Sequence, residues 1–238
     1  MFSRKLTRQM KLMILLVVVP FYFYSGSIII SALIKFAVLE LSLPIDKNMA
    51  TVLLNVLLDG ILALMSICIF KDTLKQQFSD FFENIKENLI YAFIKGPIIV
   101  YVCSLIGGLF SLALQGETTS VNQALLETLV SKHLILMALA SVVFAPIFEE
   151  LLFRGSIFAW LYEIHPILAH VLSGFLFGFI HVMNAVFSGD VGEIVQVFSY
   201  FFMGMGLSFL YEKTNNIYVP IITHALNNLM AVILIMVI

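Results

Sequence analysis

Glu149, Glu150 and Arg154 stand within eight residues, FEELLFRG, flanked by apolar sequence on both sides: LILMALASVVFAPI before and SIFAWLY after. Two other polar groups interrupt equally apolar runs: His181, ending FGFIH, and His224 with Asn228, in HALNN. Carboxylate, imidazole and amide are the types that can activate a water and donate hydrogen bonds to a developing oxyanion. Two histidines and a glutamate, with a second glutamate as base, also resemble the ligand set of a zinc hydrolase. Zinc on Glu149, His181 and His224 is therefore the alternative to a metal-free site. Against it, the candidate ligands come from three segments without an HExxH pair, and Asn228 is better suited as a donor than as a zinc ligand. The metal-free arrangement, with no cofactor, is the expectation.

These residues are costly where they stand. The chain has 238 residues, of which 61% are hydrophobic and only 12% charged. Its mean hydropathy is +1.04. A soluble domain keeps about a quarter of its residues charged, so this chain is an integral membrane protein. A charge at the centre of a transmembrane helix costs roughly 2.5–3.5 kcal/mol, and three on one helix cost roughly 7–10 kcal/mol on the same scale. A leucine or phenylalanine returns only about 0.3–0.6 kcal/mol. The bland reading is a charge cluster at the membrane surface, and depth separates the two.

Apolar runs predict seven spans near 10–38, 48–70, 90–115, 133–163, 166–187, 193–212 and 217–238. The fold class is all-α, a polytopic transmembrane helix bundle in one domain. Continued to Glu163, span four holds Glu149 about 21 Å deep. His181 in span five lies about 22 Å in from the same side, and His224 and Asn228 about 12 and 18 Å in. Long side chains and tilt can close the remaining gap. Glu150 and Arg154 are four apart, as an ion pair on one helix face requires. Glu149 is rotated by about 100° from Glu150, so one glutamate can be structural while the other faces a cavity. Phe177 and His181, and His224 and Asn228, repeat the i,i+4 spacing, and Gly174 and Gly178 permit close helix approach.

The three motifs EELLFR, FGFIH and HALNN resemble the EExxxR, FxxxH and HxxxN series of the CAAX-protease and bacteriocin-processing (CPBP, Abi) family of intramembrane endopeptidases. The resemblance covers residues 133–238 and implies that this region is the catalytic core, with residues 1–132 unassigned. It implies Glu149 as general base, His181 as a holder of the water, and His224 and Asn228 as oxyanion stabilisers. Glu150 and Arg154 would lock the helix face, with a supporting role at the site open for Glu150; Phe177 belongs to the second motif. The implied activity is hydrolysis of a peptide bond in a membrane-associated substrate, through CAAX-like cleavage or through bacteriocin or pheromone processing or immunity. A non-catalytic transporter or binding scaffold using the same polar cluster is the other class. A transporter is expected to show repeats or paired broken helices, and the sequence has neither.

The remaining features set expectations of place. Arg4, Lys5, Arg8 and Lys11 precede the first span, and Lys71, Lys75, Lys86 and Lys213 fall on the same side. The excess of basic residues puts that side in the cytoplasm. An uncleaved first helix is expected rather than a signal peptide, in a bacterial cell membrane. The bilayer and a peptide are the expected partners. No basic block points to nucleic acid, and the oligomeric state stays open. Leu74, Phe78, Phe81, Phe82, Ile85 and Leu89 line one face of a predicted interfacial helix over 71–90. The polar stretch GETTSVNQALLETLVSK is expected to join spans three and four. Cys68 and Cys103 are expected as buried free thiols. His133, His165 and His170 are structural, the first two at helix ends. Met203 and Met205 are packing. Asp59 either pairs with another helix or lines the cavity.

Overall fold

The structure is a computed structural model that describes residues 6–115 and 120–237. Arg4, Lys5 and residues 116–119 of the connection after the third span lie outside the described residues. Among the described residues, seven helices are long and apolar enough to cross a membrane: α1 (Arg8–Leu39), α2 (Lys47–Glu83), α3 (Ile85–Leu114), α4 (Val121–Tyr162), α5 (Pro166–Phe187), α6 (Val191–Thr214) and α7 (Tyr218–Val237). Among the described residues there is no strand. Two of the helices, α2 and α4, start where the sequence supplies oxygen acceptors for orphan amides. Asp46 accepts from the Met49 amide at 2.7 Å and Ser120 from that of Gln123 at 3.1 Å. Pro166 opens α5 after an extended His165, a position where its missing N–H costs nothing.

Two predicted boundaries move. The expected interfacial helix is not separate: residues 71–83 continue α2, and the chain turns at Asn84 before α3 begins. At 37 residues α2 runs about 55 Å, well past a hydrocarbon core of about 30 Å. Of the supposed apolar face, Phe81 is buried, while Phe78, Phe82, Ile85 and Leu89 are exposed. The polar Gln77, one turn before Phe81, is buried beside it. Its Oε1 accepts from the Ile217 amide at 2.6 Å, and its carbonyl accepts from Asn216 Nδ2 at 2.7 Å. The α2 extension thus fixes the α6–α7 turn, and with it the start of the helix that carries His224. The second change is in α4, which begins at Val121 rather than 133. Most of the expected connector is helical, and His133 marks a kink (φ −138°, ψ 53°) inside the helix instead of its end.

α6 packs between α3 and α5, and α4 packs against α2, α5 and α7. α4 therefore lies where polar groups from several helices can meet away from lipid. The glycines of α5 and α6 set the closest approach. A Cβ on Gly178 would lie 2.7 Å from the Val197 carbonyl oxygen and 2.9 Å from the Phe201 nitrogen, and one on Gly204 would lie 3.0 Å from Gly174 Cα. These obstacles are backbone and cannot rotate aside. Gly178→Ala is expected to lower stability by about 1–3 kcal/mol, read as a lower melting temperature in detergent micelles. Gly108→Ala, which meets nothing within 4 Å, is expected to melt with the parent. Equal melting of the two variants would remove the close α5–α6 contact as a determinant of the fold.

The cysteines are free, but Cys68 is exposed and Cys103 only part-buried. On a membrane-spanning helix, the outward face meets lipid tails, which a thiol tolerates as a small hydrophobe.

Candidate active site

Glu150 and Arg154 are fully buried and joined at 2.9 Å between Oε1 and Nη1, the i,i+4 pair expected on α4. Arg154 Nη2 donates to the Gly204 carbonyl of α6 at 2.7 Å. Its guanidinium carbon lies 4.6 Å from the centre of the Phe177 ring of α5. One side chain thus ties α4 to α5 and α6. The same Glu150 Oε1 accepts from His224 Nδ1 of α7 at 2.9 Å. Because a carboxylate only accepts, Nδ1 carries the proton. Glu150 therefore orients His224 as well as pairing with Arg154.

Glu149 points elsewhere, as its 100° offset requires. Its side chain is 12% exposed, and Oε2 lies 4.0 Å from His181 Nε2 and 3.9 Å from His224 Nε2. Oε2 has no direct hydrogen-bond partner. His181 Nδ1 donates to the Phe177 carbonyl at 2.7 Å, so this ring too turns Nε2 toward Glu149. Phe177 is fully buried beneath both rings, 4.8 Å from His181 and 5.7 Å from His224, centre to centre. The structure thus brings Glu149, His181 and His224 to one level from α4, α5 and α7.

Asn228 stands one turn beyond His224. Its Nδ2 donates to the Ser141 carbonyl of α4 at 2.8 Å, which spends one of its two N–H groups and leaves the other. Asp59 of α2 makes no hydrogen bond among those described. It lies within electrostatic reach of Glu149 and of Tyr22, and Tyr22 packs on Phe148 at 5.0 Å.

Separations of 3.9–4.0 Å are too long for direct hydrogen bonds, and they suit a single shared water at about 2.8 Å from each atom. Ligand atoms on tetrahedral zinc, bonded at about 2.0–2.1 Å, lie about 3.3 Å apart. Each pair would have to close by about 0.6 Å to form that shell. Among the described residues, no group of three His, Cys, Asp or Glu side chains is disposed to hold an ion. As placed, the trio stands wider than a zinc shell.

Sequence reasoning missed three partners: the Gly204 carbonyl, the Ser141 carbonyl and the ring of Tyr200, which stacks on His181. Two are backbone atoms, which leave no trace in side-chain spacing. Tyr200 had a signal, since it lies four residues before Gly204 on the helix face that meets α5. His170 does hold structure, and it does so in a network. Its Nδ1 lies 3.0 Å from Ser208 Oγ and its Nε2 3.1 Å from Glu212 Oε2, while Glu212 Oε1 accepts from the Tyr162 hydroxyl at 2.8 Å. Met203 is buried, and Met205 lies against Gly174.

Residues 131–230 match the family model described as Rce1-like, type II CAAX prenyl endopeptidase. The "Putative membrane peptidase YdiL" of Bacillus subtilis is 32% identical over 120 residues, which is 50% of this chain and 44% of that protein. The matched segment thus spans less than half of that relative's length. No solved structure matches the chain. Both comparisons support the family likeness carried by the three motifs.

Proposed function

We propose that residues 133–238, most of which fall within the Rce1-like CAAX endopeptidase match, are the catalytic core of an intramembrane endopeptidase. One observation carries the reading: a glutamate oxygen with no direct hydrogen bond and two imidazole Nε2 atoms face one another across about one water's width at the centre of the bundle. Glu149 accepts a proton from the water as the water oxygen attacks the scissile carbonyl carbon, and His181 Nε2 accepts the water's other hydrogen bond. A water has two protons to donate, so the third group must itself donate. That is His224, which Glu150 holds through Nδ1 so that Nε2 faces the water. His224 Nε2–H and the free N–H of Asn228 stabilise the oxyanion, each such donor being worth about 2.7–4 kcal/mol. Glu149 then returns its proton to the leaving amine, which completes hydrolysis with no group consumed.

The substrate class is a membrane-associated peptide, and a prenylated CAAX-type C-terminus is the first candidate. The basic residues at the start of α1 and the end of α2 support a cytoplasmic N-terminus. The test is the purified protein in lipid nanodiscs, after dialysis against EDTA, with a quenched fluorogenic peptide ending in a prenylated CAAX sequence. Cleavage products carrying one added water, at a rate unchanged by the chelator, are expected by mass spectrometry and fluorescence. Cleavage lost on chelation and restored by zinc would replace the water-only mechanism with a metal one. Intact peptide throughout would remove the prenylated substrate.

A further inference from the structure

Tyr200 of α6 lies face to face with the His181 imidazole, with ring centres 4.3 Å apart and planes 16° from parallel. Its hydroxyl is held in turn. Ser120 Oγ lies 2.7 Å away, and Asn122 Nδ2 donates to it at 3.3 Å. Ser120 caps the first turn of α4. Beside it, Glu193 Oε1 of α6 accepts from the Val121 amide at 2.8 Å. The tyrosine is thus fixed at its tip by α4 and along its shaft by α6.

The other constraints on His181 leave one motion open. The bond from Nδ1 to the Phe177 carbonyl decides which nitrogen faces Glu149. A single hydrogen bond is a hinge, however, and the ring can still swing about it. Phe177 limits the swing from one side, its ring tilted at 47° to the imidazole. The broad face of Tyr200 limits it from the other.

We propose that Tyr200 is a positioning residue for His181: its ring, stacked at 4.3 Å, holds the imidazole so that Nε2 faces Glu149. The proposal rests on the hydrolase reading only for its kinetic consequence, because the placement of the ring is measurable without substrate. A displacement of about 1 Å in a reacting group can cost on the order of 100-fold in rate. Tyr200→Leu removes the flat face, while Tyr200→Phe keeps it and removes the anchor.

The test uses the full chain in nanodiscs with isotope-labelled histidine, the His181 ring signal being assigned by its loss in His181→Gln. Tyr200→Leu is expected to move that signal downfield as the tyrosine ring current is lost, and Tyr200→Phe to leave it near its place. With the prenylated peptide, Tyr200→Leu is expected to lower kcat roughly 10- to 100-fold with KM within about twofold. Tyr200→Phe is expected to stay within about threefold of the parent. If Tyr200→Leu does not fold, Tyr200→Met carries the same comparison. An unmoved His181 signal in the leucine variant overturns the proposal. So does a kcat that falls equally in both variants, or a rise in KM alone. Glu149→Gln in parallel separates the two claims: if it cleaves at the parent rate, the assignment of Glu149 as base fails, while the ring signal still decides the role of Tyr200.

Discussion

Glu149→Gln is expected to lower peptide cleavage by about 10²–10⁴-fold, the range removed with a general base, while the protein stays folded and melts close to the parent. Glutamine keeps the size and shape of the side chain but cannot take the water's proton. Little else changes, because Glu149 Oε2 makes no direct hydrogen bond and the side chain retains 12% exposure. Burial thus separates the two neighbouring carboxylates. The one with fewer partners should matter more to rate, and the fully buried Glu150 more to folding. Initial rates on the prenylated peptide and a melting curve on the same preparation check this. If the glutamine variant cleaves at the parent rate, Glu149 is not the base, and another group must take the water's proton.

The sequence made the helices and the meeting of the motifs legible for related physical reasons. A span must be about 20 apolar residues long, so the seven runs stand out by composition. A charge placed deep within one needs a partner, so Glu149, Glu150 and Arg154 announce a site before any partner is known. The depth reckoning worked because α4 and α5 are joined by the tight turn at Ile164 and His165, which gives both helices a common origin. It failed to show that Glu150 would hold His224 as well as Arg154, since lateral contacts between helices depend on rotation and tilt. The extension of α2 was misread for a different reason. An amphipathic pattern names two faces without saying what covers either. Gln77 is polar and falls outside the apolar set, yet it is buried because the α6–α7 turn offers an amide and an asparagine for it to pair with. The helix over 121–132 was hidden by its polarity, since NQALLETL reads as a connector unless Ser120 is recognised as a cap.

Arg154→Met is expected to be the most damaging single change to folding. Arginine and methionine bury similar aliphatic stems, so packing is largely kept, and the loss isolates the charge. Glu150 would remain fully buried with His224 as its only close partner, and the Gly204 carbonyl would lose the donor it has at 2.7 Å. Breaking one side of a buried pair costs about 3–5 kcal/mol, a large share of an ordinary domain's stability of about 5–15 kcal/mol. The variant should accumulate poorly, or melt well below the parent in micelles. Arg154→Lys should recover only part, because an ammonium lacks the planar fork that reaches both Glu150 and Gly204. The double variant Glu150→Gln with Arg154→Met should be more stable than Arg154→Met alone, since the buried carboxylate left without its guanidinium is removed as well. It should still be inactive: a glutamine oxygen can accept from His224 Nδ1, but it carries no negative charge to support donation from Nε2 to the oxyanion. Recovered stability without recovered cleavage would separate the two tasks of Glu150, holding α4 against its neighbours and keeping His224 a donor. A single Arg154→Met that melts with the parent would mean that the buried pair is not what joins α4 to α6.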